Sequence, residues 1–401
     1  MTPSNTFAYE AGIALLYRAS CKEGFLAAPE QTDNYRRVWS RDGVICSLAA
    51  LQSGDDGFLP IVEATLETLF NHQHPAGFMP SNVTPQTNAV SYGGAVGRAD
   101  NASWAIIGLM HYTQITGNTS LKIRYQHHVE KAFQLMTAWE FNGRGLMYVP
   151  LSGDWADEFI QHGYILYDQL LRLWALELAG KIYKRNDWLV QANLLRITLG
   201  HTFWQQSDAS RYYTPALARQ MRDASPKQWL MGFHPGGIYC QFDLAANALA
   251  ILLQVGEKQQ QTEAIKTLID KINQQDRILP AYSPAILSND INMNVLKENY
   301  AYQFRNSPHQ FHNGGLWPVW NGWAVVALAE QHDNAAAKDA ATKLCALLHQ
   351  ANASANNNEF EFNEVLHGET MVPVGVKACT WSAAGAVLAE TSLNEKKIYR
   401  F

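Results

Sequence analysis

Residues 165–178 read ILYDQLLRLWALEL, an apolar run broken only by Asp168, Gln169, Arg172 and Glu177. At that density a helix has no polar face, and a helix that is apolar nearly all round must be covered on every side. Residues 244–253 and 319–328 have the same character. Other segments are one-sided. Ile265, Leu268, Ile269 and Ile272 fall at i, i+3, i+4 and i+7, and Val129, Phe133 and Met136 form a similar stripe. Such spacing predicts amphipathic helices with one buried face. Periodicity predicts about twelve helices, beginning near Phe7, Asp42, Phe58, Asp100, Ser120, Ile160, Asn186, Phe242, Gln261, Trp317, Asn334 and Trp381. One-sided and all-round helices alternate, as expected if an outer ring sheathes an inner one. The fold class is therefore all-α, an (α/α)6 barrel of six inner and six outer helices. Minor β segments are expected in the connections, around Leu146–Leu151 and Arg211–Pro215. An open stack of helical repeats would carry a recurrent signature, and none is visible. No Pro/Gly/Ser-rich linker interrupts the chain, so residues 1–401 read as a single domain.

Composition narrows the function. Hydrophobic residues make up 47% and charged residues 17% of the 401, enough apolar material for a large core. A net charge of -5 leaves no electrostatic footprint for nucleic acid or an anionic membrane. No apolar stretch reaches the roughly 20 residues of a membrane span. Five scattered cysteines, without a CxxC pair, argue against a disulfide framework or a zinc site and fit a reducing compartment. The opening residues Met1 to Asn5 lack a charged and apolar leader, so a cytoplasmic location is expected. Twelve tryptophans and 17 tyrosines, several beside charged or amide residues, suit a ligand with apolar faces and a hydroxyl rim.

The polar motifs fall at or just before the starts of the all-round apolar helices. Tyr35-Arg-Arg-Val-Trp39-Ser-Arg41-Asp42 opens the second helix, and Gly97-Arg98-Ala-Asp100-Asn101 the fourth. Gly153-Asp154-Trp155-Ala-Asp157-Glu158 precedes the sixth, and Gln241-Phe-Asp243 opens the eighth. His312-Asn313-Gly314-Gly315-Leu-Trp317-Pro318 opens the tenth. Phe362-Asn-Glu364-Val-Leu-His-Gly368 and Thr380-Trp381-Ser382 precede the twelfth. Taken singly, each reads as helix capping. Taken together, inner helices running the same way would bring all six to one end of a barrel, where they line a pocket.

These motifs resemble a known group. The pattern Tyr35-x-x-Val-x-x-Arg41-Asp42, Gly97-Arg98 with Asp100 and Trp104, and His312-Asn-Gly-Gly-x-Trp317-Pro318 are similar to the neutral/alkaline invertase family. Gly153-Asp-Trp-Ala-Asp157 and Glu364-x-x-x-Gly368 also resemble glycogen-debranching glucosidases and the mannosylglycerate and glucosylglycerate hydrolases. The resemblance runs from about residue 24 to about residue 388 in consistent order. It implies an (α/α)6 barrel, inversion at the anomeric carbon, and neither metal nor organic cofactor. It puts the general acid at Asp157, the general base at Glu364, and sugar contacts at Arg41 and Asp42. Tyr35, Trp39, Asp100, Trp155, His312, Asn313, Trp317 and Trp381 complete the expected substrate-binding set. Ala156-Asp157-Glu158-Phe159 and Val365-Leu366 depart from the invertase pattern, which bears on sucrose as substrate.

Inverting hydrolysis needs one protonated and one ionised carboxyl, roughly 6.5–9.5 Å apart with water between. Asp157 suits the acid, with Trp155 as a wall and Asp154 and Glu158 as neighbouring anions. Asp154 competes for that role, and Glu158 reads as a cap or a solvated charge. For the base, Glu359, Glu361, Glu364 and Glu369 crowd one loop, and Glu364 has the matching spacing. A guanidinium and a carboxylate at Arg41-Asp42 offer complementary donors and acceptors to sugar hydroxyls, with a local ion pair as the alternative. His312 and Asn313 either contact sugar or brace their loop. His127, His128 and His162 have no metal-ligand constellation. The expected partner is a small saccharide, not nucleic acid or membrane. An α-linked glucoside such as sucrose leads, followed by an α-1,6-linked glycogen branch or a glycosylglycerate. A sugar 2-epimerase would rely on paired histidines, and a carbohydrate-sensing barrel would need neither carboxylate.

Overall fold

A computed structural model describes residues 5–224, 227–299, 303–354 and 359–394. The Asn356–Asn358 run, whose residue type favours a turn, lies outside them. Twelve helices form two rings. The inner ring consists of α2 (Ser40–Ser53), α4 (Asp100–Thr116), α6 (Leu166–Ile182), α9 (Leu244–Leu252), α12 (Pro318–Ala329) and α14 (Thr380–Leu393). Each packs on the next, and α14 returns to α2, closing the circle. The outer ring consists of α1 (Asn5–Arg18), α3 (Leu59–Asn71), α5 (Ser120–Ala138), α7 (Asn186–Thr202), α10 (Lys258–Asn273) and α13 (Ala335–Asn352). Two short helices, α8 (Pro215–Ala224) and α11 (Asn292–Glu298), sit in the connections. This is the (α/α)6 barrel.

The burial pattern explains the alternation. Every residue of α9 is buried, as is nearly all of α12. In α10 only one face is: Ala264, Ile265, Leu268 and Ile272. The quoted stretch forms α6, and three of its four polar residues are partnered, Glu177 by Arg196 at 2.6 Å, while Asp168 is buried without a hydrogen-bond partner among the described residues. Arg172 pairs with Glu140 at 2.6 Å inside the core. The Gln169 amide donates to Met147 O and accepts from Met147 N, each at 2.9 Å. Two inner helices meet backbone to backbone where Gly322 of α12 faces Gly385 of α14; a Cβ on Gly322 would run into the Gly385 carbonyl.

Inner-to-outer connections are short turns, two of them closed by left-handed glycines, Gly54 (φ 72°) and Gly117 (φ 69°). Outer-to-inner connections are long. All inner N-termini, with the long loops, therefore share one end of the barrel. Small antiparallel sheets stand there: Val38–Trp39, Asn82–Val83 and Val90–Ser91 form one, and Tyr164–Ile165, Gly232–His234 and Gly237–Tyr239 another. The two expected β segments are not strands. Residues 146–151 contribute one isolated bridge, Val149 to Gly163. Residues 209–211 form a 3-10 turn capped by Asp208, whose side chain accepts from Ser210 N, and Pro215 opens α8. The sixth helix also begins at Leu166, later than expected, because Gly163 (φ 99°) turns the chain and Tyr164–Ile165 pair as strand.

Candidate active site

Four inner helices carry a buried aspartate in their first turn or cap: Asp42, Asp100, Asp168 and Asp243. Carboxylates are favoured at helix N-termini, where unpaired N–H groups point outward. Asp243 accepts from Ala246 N at 3.0 Å as an ordinary cap. Gathering four of them at one end makes an acidic floor, and the buried cation Arg41 is in contact with it. Arg41 Nη1 lies 2.6 Å from Asp100 Oδ2 and its guanidinium stands over Trp381. Burial works against the Arg41 charge, but Asp100, Tyr167 and Asp42 more than offset it. Burial pushes Asp42 up to about 6, with the Arg41 charge opposing, and pushes Asp243 up to about 7. Asp154 and Asp168 are raised further, by burial and then by neighbouring aspartates.

Glu364 lies in the wall above this floor. Its Oε1 accepts from the Tyr35 hydroxyl at 2.7 Å and its Oε2 from Val376 N at 3.3 Å. Gly375 passes so close that a Cβ there would press on the Glu364 carboxylate. Burial pushes Glu364 up to about 7, while Tyr35, Val376 and the Arg305 charge resist. A cavity of about 520 Å³ opens beside it, lined by Glu30, Thr32, Arg305, Phe311, Glu364 and residues 374–378. A larger groove of about 680 Å³ lies on the outer wall between α5 and α7, lined by Phe133, Trp188 and Leu194, away from these carboxylates.

Asp157 lies in the connection before α6. Its side chain is partly exposed, and Oδ2 lies 2.5 Å from Arg98 Nη2. Arg98 is tied down by donating to the Gly97 and Ser152 carbonyls. Arg305 links the two carboxyls. It pairs with Glu158 at 2.7 Å, next to Asp157, and its charge acts on Glu364. The charges of Asp157, Arg305, Arg41 and Arg98 all act on the His312 ring. Burial holds His312 neutral, pushing it down to about 3.

Several expected contacts turn out to be supports. Asp100 is fully buried and accepts from Arg41 through Oδ2, so it supports the guanidinium. Asn313 is also fully buried. It donates to the Ile286 and Asn306 carbonyls and accepts from Ile286 N, bracing its loop. Trp155 sits edge-on to His312, Trp317 and Trp320 at 5.0–5.2 Å and is 2% exposed. Trp317 stacks on His312 and donates to Phe311 O, and Trp381 packs edge-on against it; both are buried. These rings form an aromatic wall, not open sugar platforms. Trp39 is half-buried and donates to Asn34 O at 3.1 Å. Tyr35 bonds Glu364, Arg41 pairs with Asp100, and Asp42 and His312 are buried. Asp154, the competing acid, is buried and bound to Ala156 N and Gln161, which removes it from the surface of the pocket. Glu158 is not a solvated charge, since it holds Arg305 and Asn306. Sequence reading missed Arg305 and Asp168. Asp168 had a signal, a carboxylate inside an otherwise apolar run. Arg305 had none. Among the described residues no group of three or more His, Cys, Asp or Glu is arranged to hold a metal. No described helix is long and apolar enough to cross a membrane.

Comparison with known proteins agrees with the motifs. Residues 218–396 match the model of the alkaline and neutral invertase family. Curated proteins give no match. Among solved structures, a rhamnosidase from Klebsiella oxytoca with rhamnose bound is similar over 95% of this chain and 62% of its own, at 14% identity and a TM-score of 0.64. The glucoamylase from Saccharomycopsis fibuligera is similar over 96% of this chain and 94% of its own, at 12% identity and a TM-score of 0.64. A glycosidase variant in complex with glucose is similar over 97% and 96%, at 12% identity and a TM-score of 0.63.

Proposed function

We propose that this glycoside hydrolase, one of the (α/α)6-barrel group, cleaves a small α-linked glucoside such as sucrose with inversion, using Asp157 as general acid and Glu364 as general base. The observation that carries the reading is the setting of Glu364. It is buried, aimed by Tyr35 and Val376, and raised to about 7. A general base works best with a pKa near the operating pH. Glu364 takes a proton from water as the water oxygen attacks the anomeric carbon. On the opposite side Asp157 gives its proton to the glycosidic oxygen, the C–O bond breaks with its electron pair on that oxygen, and the leaving group departs neutral. Asp157 is the ion-pair partner of Arg98 at rest, so before each turnover it must leave Arg98 and take up a proton from solvent, while Glu364 returns the proton it took from water to solvent afterwards. Asp42 and Arg41 hold hydroxyls of the sugar that is cut, and Asp100 keeps Arg41 in place.

The match at residues 218–396 includes Glu364 and the His312 to Pro318 motif, which supports an invertase-like substrate. A second reading, a glycosylglycerate, has one observation in its favour: Arg305 and Lys377 both line the cavity beside Glu364. A cytoplasmic location belongs to the proposal and is supported by five free cysteines. The test is anomer-resolved proton NMR with sucrose, isomaltose, trehalose, glucosylglycerate and mannosylglycerate. Release of an inverted sugar from one of them supports the mechanism and assigns the substrate. Release with retained configuration, or no turnover with any of them, overturns the proposal.

A further inference from the structure

The rim that bears Asp157 continues into a patch of rings that the chemistry above does not use. His162 follows Asp157 by five residues, and its ring lies 4.6 Å from that of His234. Tyr239 adjoins His234 at 5.3 Å, and Tyr148 adjoins Tyr164 at 5.5 Å and His162 at 6.4 Å. Phe141 adjoins Tyr148 at 6.4 Å and is 80% exposed, on backbone held at a φ of 56°. The other five rings are half-buried. The patch has a built frame: the Tyr164–Ile165, Gly232–His234 and Gly237–Tyr239 sheet carries three of the rings. The sheet stands at the start of α6, the end of the barrel that holds the catalytic carboxylates. Polar tips are used to fix the rings. Tyr239 Oη accepts from His162 N, Tyr148 Oη bonds His162 Nδ1, and His234 Nδ1 accepts from Gly236 N. Burial depresses both histidines, and the neighbouring His234 lowers His162 further. The nearby cation Arg144 is engaged by Tyr213, over whose ring it lies.

Uncharged, partly exposed rings with fixed polar edges match a neutral saccharide, whose C–H faces stack while its hydroxyls meet ring edges. An anionic ligand would find no free cation there. We propose that Phe141, Tyr148, His162, Tyr164, His234 and Tyr239 form a second saccharide-binding shelf, which takes the distal units of a neutral oligosaccharide whose end unit occupies the catalytic pocket. The inference rests on the glycoside hydrolase reading and extends it to substrates longer than a disaccharide.

The test uses the full chain with Glu364→Gln, so that the probes stay intact, and labelled histidine rings observed by NMR. Glucose, maltotetraose and isomaltotetraose are titrated in turn. One tetrasaccharide is expected to shift the His162 and His234 resonances and to bind about tenfold tighter than glucose. Phe141→Ala with Tyr148→Ala, both on the surface of the rim, should bring that ratio close to one. Shelf resonances unmoved by either tetrasaccharide overturn the proposal, as does a ratio that survives the double substitution. The two readings fail separately. Disaccharide turnover by the unmutated enzyme with an unresponsive shelf sinks the shelf alone, whereas a responsive shelf without turnover of any saccharide sinks the hydrolase mechanism alone.

Discussion

Replacing Tyr35 with Phe removes one hydroxyl and leaves the ring, so it isolates the bond that Tyr35 donates to Glu364 Oε1 at 2.7 Å. Glu364 stands at about 7 because burial favours the protonated form more than its donors favour the charged one. A hydrogen bond to a charged group contributes about 1.5–3 kcal/mol, and one pKa unit is about 1.4 kcal/mol. Loss of the bond should therefore move the base upward by about one to two units. The sign follows from the role. A base must be ionised, so activity falls on the acid side, and a higher pKa carries that fall to higher pH. At pH 7 the ionised fraction drops from about one half to between about one tenth and one hundredth, so kcat/KM falls about 5- to 50-fold. Above the new pKa it recovers towards the unmutated plateau. The assay is kcat/KM against pH for whichever saccharide is turned over. If the whole profile drops while its acid limb stays near 7, Tyr35 contacts sugar and does not tune the base, and the reasoning is wrong.

Three further outcomes are expected. Asp157→Asn should lower turnover by about 10²- to 10⁴-fold, the usual contribution of acid–base catalysis, while glucose binding persists by calorimetry; undiminished turnover would remove Asp157 from the mechanism. Asp100→Asn strips Arg41 of its buried anion at 2.6 Å, and stranding a buried charge costs about 3–5 kcal/mol, which a urea midpoint would register; a midpoint within experimental error of the unmutated chain would mean the pair contributes little. Gly322→Ala forces α12 away from the Gly385 carbonyl of α14 and should cost about 1–3 kcal/mol of overpacking, whereas a matched change at Gly117, where nothing lies within 4 Å, should act only through its left-handed backbone.

The ring architecture was readable because burial leaves a periodic trace. A helix covered on all sides, such as α6 or α9, cannot carry a polar stripe, and an outer helix such as α10 must carry one. Alternation of the two along the chain is enough for a double ring. The motifs at inner helix starts were legible for the same reason, since polar residues before an apolar run have few other uses. Boundaries and strands were less so. The sheet at Tyr164–Ile165 pairs with residues about 70 positions later, and no local pattern in a two-residue strand announces a distant partner.

Within the site, residue type decided which groups could do chemistry, and only folding decided which of them face the pocket. Asn313 and Trp155 share motifs with His312 and Asp157, Asp100 opens its helix as Asp42 does, and nothing in their local spacing separates a sugar contact from a brace. The separation comes from depth and partners: Asp100 accepts from Arg41, Asn313 is spent on Ile286 and Asn306, and Trp155 is packed among His312, Trp317 and Trp320. Arg305 shows the limit most clearly. Its partner Glu158 is 147 positions away, and Tyr35 reaches Glu364 across 329. The sequence by itself determined a barrel of paired helices with carboxylates at one end, because apolar periodicity and helix-start chemistry are local. Which carboxylate is aimed, which is buried as a support and which cation lies between them was decided by closure of the ring, because electrostatic and hydrogen-bond partners are chosen by proximity in space.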